Sequence, residues 1–538
     1  MFSLLRRPLA AAAALVLAAP SALVAQGDPP DWVRRFLDAE QRQPFANAWL
    51  KRARAAQAAV VEPGAPAPPP GQRALTGTFG MVVIAATFSD VPPPFPTSTY
   101  QQAWFGETGI NGGYSLSQYY REVSRGRFTF TGTVTPWITL ARTAASYQAN
   151  TPYPGRGLFM EYIRDALLAA DAGVDWTQYD NDGADGIPNS GDDDGVVDMV
   201  ALMHPLPDGA CNNAISGFTG TGFRLSAMAG GEFVTHSVGK NGSPIRVNDF
   251  VLSGAVNCAG TSPAGMNIPV HEMGHALGLP DLNDLDRSSY GVGRWDVMGY
   301  GLYLADGRPA HLGAWSLRQL GWAQVTRVTE SGDVRLDPAA NTGQVVEVGV
   351  PGSREHFLLE NRQRVGSDTP LPGSGLLVWR VHPDVLDGAV LQYRGTEDEA
   401  NPGLMLVQAD GRNDLASRQN FGDASDPFPG SGNVVLVNGQ TTPSTRDHAT
   451  RATGISLQNI AEQGGVVTLR VDFAPGVPEV PPVTVQQAAA ALVGGTPLTT
   501  AQQQALDQGG NRNGRFDVGD ALILWLLNGS PAFPGVLP

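Results

Sequence analysis

The stretch His271-Glu272-Met273-Gly274-His275-Ala276-Leu277-Gly278-Leu279-Pro280-Asp281 has the form H-E-x-x-H-x-x-G-x-x-D, and the chain is read outward from it. If its first part is helical, residues four apart share one face, so His271 and His275 direct two imidazoles at one point. Two nitrogens converging in this way suit Zn²⁺. Glu272 lies beside the same face, where it can act as general base towards water acidified by the metal. Gly278 permits a sharp exit from the helix, and Pro280 keeps the helix from resuming. Asp281 can then fold back as a third ligand, leaving a fourth position open for water and substrate. Asp284 and Asp286 compete with Asp281 for that third place, and spacing favours Asp281. A buried helix with two satisfied histidines is the plain alternative, but it accounts for neither the acid between them nor the glycine turn.

Downstream, Gly293-Arg294-Trp295-Asp296-Val297-Met298-Gly299-Tyr300-Gly301 looks like the Met-turn of metzincin-like peptidases, with Met298 forming an apolar floor under the metal. Tyr300, two residues on, is a candidate donor to an oxyanion, with packing in a glycine-flanked turn as the alternative. With these residues the chain resembles the immune inhibitor A family of secreted zinc metallopeptidases. The likeness extends through Gly80-Met81-Val82-Val83-Ile84, Ser117-Gln118-Tyr119-Tyr120-Arg121-Glu122-Val123-Ser124, His311-Leu312-Gly313-Ala314-Trp315, Leu359-Glu360-Asn361-Arg362-Gln363 and Gly373-Ser374-Gly375-Leu376-Leu377-Val378, over roughly residues 77–475. It implies an α+β metzincin-like zinc peptidase domain acting on protein or peptide substrates.

At 538 residues the chain exceeds what one core usually serves, so several domains are expected. The N-terminus has Arg6-Arg7, an apolar run and then small residues, which reads as a signal peptide over 1–25 and predicts export to the extracellular space. No later stretch is apolar for long enough to span a membrane. A net charge of −15 and a pI near 4.9 argue against a nucleic-acid surface. Two cysteines in an exported chain, Cys211 and Cys258, predict one disulfide, the alternative being two unpaired thiols. Residues 26–76 read as a propeptide with a Pro-rich linker, or as a flexible arm. The propeptide segment has neither Cys nor His with which to block zinc.

The catalytic domain is placed at 77–322. Within it, a dense acidic loop offers Asp180, Asp182, Asp194 and Asp198 as candidate Ca²⁺ ligands, with a solvated loop as the alternative. In the family this region resembles a compact D-x-D-G-D-G-x-x-D loop. Here about ten residues stand inserted, which leaves the individual ligands open. Seven short strand patterns between 345 and 473 predict a β-sandwich over 323–474. Asp423 and Asp426 there suit either a further ion site or ordinary turns. After a Pro-rich linker at 475–483, residues 484–538 look like a small helical unit with one dockerin-type, EF-hand-like loop. Asn511, Asn513, Asp517 and Asp520 fall at its calcium positions, and Gly509 replaces the usual first ligand. Such a unit would serve as a docking or sorting module, the alternative being a short tail with an incidental loop.

The reading is a secreted zinc endopeptidase with structural calcium. Its rivals are a catalytically silent binding protein or adhesin on a peptidase scaffold, and a dockerin-recruited component of an extracellular carbohydrate-degrading system. The intact Glu272 and the lack of a paired-carboxylate glycosidase site count against them.

Overall fold

A computed structural model describes residues 75–527 apart from 149–155, 182, 184, 209–210, 212–219, 223–231, 285–286, 306, 391–395, 397, 400, 474–482, 501, 504–505 and 507–514. The signal peptide, the propeptide, almost all of the second Pro-rich linker, Asp182, Asp286, Asn511 and Asn513 lie outside the described residues.

Strand β1 (Gly77–Thr87) is buried along its whole second half, the pattern of a parallel strand covered on both faces. It pairs in parallel with β2 (Phe128–Val134), β3 (Ile138–Thr139) and β4 (Val200–Pro207). Beyond β4 runs parallel β8 (Phe250–Val256), and short β5 (Gly220–Gly222) closes that edge antiparallel. A separate hairpin joins β6 (Phe233–Val238) to β7 (Pro244–Val247).

Alternation along the strands sorts two cores. Val82, Ile84, Val200, Leu202, Phe250 and Leu252 face one cluster, which also holds Tyr162, Ile163, Ala166 and Leu167 from the helix Arg156–Ala170. Met81, Val83, Ala85, Ala201, Met203, Val251 and Ala255 face the other. That second cluster receives Tyr100 and Trp104 of α1 (Thr97–Phe105), Tyr119 and Tyr120 of α2 (Leu116–Val123), and Val270 and Met273 of α3 (Asn267–Ala276). Helix α2 starts from a capping box in which Ser115 and Gln118 satisfy each other's backbone amides.

The later part of the chain builds two further sheets. One has the order β14 (Leu404–Leu406), β13 (Gly375–Val381), β12 (His356–Arg362), β11 (Gln344–Gly349) and β9 (Gln324–Val328), and is mixed because β9 and β11 are parallel. The other runs β10 (Gly332–Leu336), β17 (Val466–Phe473), β16 (Ile455–Gln463) and β15 (Leu436–Val437). Phe357, Leu359, Leu376 and Val378 meet Leu457, Leu469 and Val471 between the sheets. On the opposite face Leu358, Leu377, Trp379 and Val381 belong to the cluster that also contains α3. One continuous core therefore crosses the boundary expected at residue 322.

At the C-terminal end, α4 (Val485–Leu492) begins at a Thr484–Gln487 capping box and packs near α5 (Val518–Leu527). Among the described residues no helix is long and apolar enough to cross a membrane.

Candidate metal centre

Helix α3 is buried from Pro269 to Ala276, with its proline confined to the first turn, where no intrahelical N–H is needed. It ends as the glycine predicts. Gly278 has φ +90°, its N–H donates to His275 O at 2.8 Å, and Leu279 N donates to Gly274 O at 3.0 Å. The chain turns back there and brings Asp281 Oδ1 to 3.2 Å from His271 Nε2 and 3.7 Å from His275 Nε2. The two imidazoles stand nearly perpendicular, their centroids 4.7 Å apart.

The opposite edge of each ring is anchored. His271 Nδ1 lies 2.9 Å from Val297 O, and His275 Nδ1 lies 2.8 Å from Leu279 O. Carbonyls only accept, so both Nδ1 atoms carry a proton and both Nε2 atoms are directed at the Asp281 carboxylate. Two imidazole nitrogens and one carboxylate oxygen, oriented in this way, fit a zinc ion with a position left open. The electrostatics agree. Burial opposes charge on His271, yet the hydrogen bond and charge of Asp281, with help from Glu272, raise it to about 9. Burial likewise pushes the Asp281 carboxyl up, but the His275 and His271 imidazoles hold it below its ordinary value. The group is a well for positive charge. Glu272 is buried on the same helix, next to the first histidine.

The methionine turn supports this group through its backbone. Val297 O holds His271, and Met298 O accepts from Leu282 N at 2.8 Å, next to Asp281. Met298 is itself fully buried, and a Cβ at Gly274 would stand 2.4 Å from its sulfur, so only glycine between the two histidines admits it. Asp296, which the motif reading left without a role, organises the turn. Its Oδ1 accepts from Met298 N at 2.8 Å, and its Oδ2 from Gly313 N at 2.8 Å and Ser316 Oγ at 2.6 Å. Burial raises the Asp296 carboxyl even so. A lone acid in an apolar glycine-flanked turn was the available sequence signal for it.

The later sheets clamp the same turn from behind. Arg362 Nη1 donates to Trp295 O at 2.7 Å while its guanidinium grips Asp368 through Nε at 2.7 Å and Nη2 at 2.6 Å. Trp295 Nε1 donates to Asp426 Oδ2 at 2.9 Å, Arg294 N to Phe421 O at 2.8 Å, and Tyr290 N to Leu415 O at 2.9 Å. No local pattern in the sequence announces these contacts.

Other expected residues take varied places. Tyr300 packs edge-on to Tyr290 and tilted against Phe421, with centroids 5.4 and 4.6 Å away, and burial raises its hydroxyl. Asp284 caps its own loop through Ser288 Oγ and Ser289 N. Cys211 and Cys258 form a disulfide that closes a separation of 47 residues, which is worth about 4 kcal/mol on a chain-entropy account.

In the acidic loop, Asp180 accepts from Gly195 N at 3.0 Å and Asp198 from Asn181 N at 3.2 Å, while Asp194 turns back onto Val196 N at 2.8 Å. Among the described residues, no three ligand atoms of this loop come within 4.8 Å of one another. Asp426 is buried and engaged by Trp295 and Gln408, and in the C-terminal unit Asp520 accepts from Asp517 N at 2.8 Å.

Residues 90–328 match the family model described as immune inhibitor A peptidase M6, catalytic domain. The chain is 30% identical over 209 residues to Immune inhibitor A of Bacillus thuringiensis subsp. alesti, covering 35% of this chain and 28% of that protein. It is 26% identical over 244 residues to Pre-pro-metalloprotease PrtV of Vibrio cholerae serotype O1, covering 41% and 26%. Each alignment spans little more than a quarter of the relative's length. The mixed α/β fold and the His–His–Asp group are compatible with a metallopeptidase domain. Residues 90–328 are similar to the catalytic domain of the immune inhibitor A family of metallopeptidases.

Proposed function

We propose that the chain is a secreted zinc-dependent endopeptidase that hydrolyses peptide bonds of extracellular proteins, with His271, His275 and Asp281 as metal ligands and Glu272 as general base. The observation that carries this reading is the pair of Nδ1 anchors, which turns both Nε2 atoms towards Asp281 and leaves them free to ligate a metal. Zinc held there supplies Lewis acidity, lowering the pKa of water towards neutrality and polarising a scissile carbonyl. Glu272 takes the proton from the attacking water and returns it to the leaving amine. Val297 O and Leu279 O keep the imidazoles in the ligating tautomer, and Met298 fills the floor beneath them. Tyr300 remains a candidate oxyanion donor within its aromatic cluster.

Digestion of a protein substrate with and without a zinc chelator tests the reading. Proteolysis that is unaffected by complete removal of zinc overturns it.

Calcium is proposed for the loop containing Asp180, Asp182, Asp194 and Asp198, supported by the way Asp180 and Asp198 tie its two ends together. An ion held by the folded state alone raises the thermal midpoint, so a midpoint indifferent to calcium at constant zinc removes this proposal. Asn511, Asn513, Asp517 and Asp520 are proposed as a second calcium loop in a unit that docks to a partner. Maturation by cleavage between residues 61 and 76 completes the reading, and mass spectrometry of the active secreted protein checks it.

A further inference from the structure

We propose that Glu355, His382 and His448 form a second transition-metal site, of zinc type, which fastens the two later sheets together. The three residues come from separate elements. Glu355 immediately precedes β12, His382 immediately follows β13, and His448 lies in the loop between β15 and β16. One nitrogen from each imidazole and one Glu355 oxygen lie within 4.8 Å of one another. Ligand atoms around a tetrahedral ion with bonds of about 2.0–2.1 Å stand roughly 3.4 Å apart, so a shift of about an ångström seats the set on one ion.

The chemistry favours a metal that binds nitrogen. Glu355 and His382 are each only 2% exposed, so an ion there meets protein donors instead of bulk water, while His448 borders the surface and offers a way in. Glu355 engages His448 twice, through the backbone N–H at 3.0 Å and through ring Nδ1. A metal bridging that carboxylate and imidazole takes the place of the proton they share, as at the His271–Asp281 pair.

The His382 and His448 rings are stacked, with centroids 3.8 Å apart and planes 20° from parallel. Two protonated imidazoles at that distance repel, so the stack accommodates one positive charge between its nitrogens more readily than one on each ring. Arg380 donates to Asp447 O at 3.4 Å, and the Asp447 carboxylate accepts from Arg451 Nε at 2.7 Å. These arginines balance the neighbouring acids, so the place is not a bare acidic patch of the kind that attracts calcium. The imidazole pair selects zinc, nickel or cobalt instead.

The experiment is zinc analysis of the full chain after loading with excess zinc and gel filtration into metal-free buffer. Two zinc ions per chain are expected. Glu355→Gln and His448→Ala should each hold one and still digest protein, and His271→Ala should hold one without digesting it. Loaded with cobalt, His271→Ala should keep visible d–d absorption and lose it when His382→Ala is added. One zinc in the unaltered chain, two in folded Glu355→Gln, or none in His271→Ala overturns the proposal. Glu355→Gln preserves side-chain shape, which keeps the test usable if the histidine variants fold poorly.

Discussion

Two groups in this molecule combine two histidines with one carboxylate, and they are built in opposite ways. His271, His275 and Asp281 come from eleven consecutive residues, have perpendicular rings, and are anchored at both Nδ1 atoms by backbone carbonyls. Glu355, His382 and His448 come from three distant segments and have stacked rings. The difference fits the two proposed roles, catalysis at the first and fastening at the second. A catalytic metal needs a preset ligand cage with an open side and a base next to it, whereas a structural metal needs donors that join elements otherwise free to part.

The sharpest way to break the comparison is to remove the carboxylate ligand of the first group. Asp281→Ala should lose its zinc and its proteolysis together, whereas Asp284→Ala should keep both. Stoichiometric zinc at the catalytic group in Asp281→Ala, with none in Asp284→Ala, would reverse the assignment. Next in size is the base. Glu272→Ala should retain zinc and lose about 10²- to 10⁴-fold in kcat. Equal losses of metal and activity would instead make Glu272 a ligand.

The grip of the later sheets on the catalytic turn is tested through Glu360, which sits beside Arg362 and accepts from Trp379 Nε1 at 2.8 Å. Burial raises its carboxyl from 4.5 to about 7. The folded chain therefore holds a proton that the unfolded chain releases between those values. The resulting stability is full below about 4.5 and is lost as pH rises through about 7, a change of about 3 kcal/mol. Glu360→Gln should flatten this fall in denaturant midpoints taken from pH 4 to 8, and an unchanged slope would assign it elsewhere. Smallest is Gly274→Ala. The new Cβ meets Met298 at 2.4 Å, so overpacking should cost about 1–3 kcal/mol, read as a lower urea midpoint with zinc still bound.

The parts of the molecule differ in how openly the sequence declares them. The run Met81 to Phe88 is continuously apolar and rich in β-branched residues, a local pattern that reads as a buried strand, while the sorting of its residues between two cores is visible only in the structure. The helix end at Gly278 was legible for the same reason, since a positive φ and a following proline act within three residues. Tyr300 shows the limit. Its spacing from Met298 suggested an oxyanion donor, but the cluster it joins includes Phe421, more than a hundred residues away. The expectation of a separate second domain met a similar limit, because the strand pattern marks which residues alternate and not what covers each face. Leu358 and Trp379 turned out to share the core of α3.

By itself, then, the sequence determined that His271, His275 and Asp281 come together, because a helix repeat of 3.6 residues and one glycine turn set them over eleven positions. Tertiary structure alone decided what keeps that group in shape: Asp296 beneath the methionine turn, Arg362 and Asp426 behind Trp295, and the union of Glu355 with His382 and His448. Each of these depends on contacts between residues far apart in the chain, and no periodicity encodes them. They exist only once the sheets and helices have packed together.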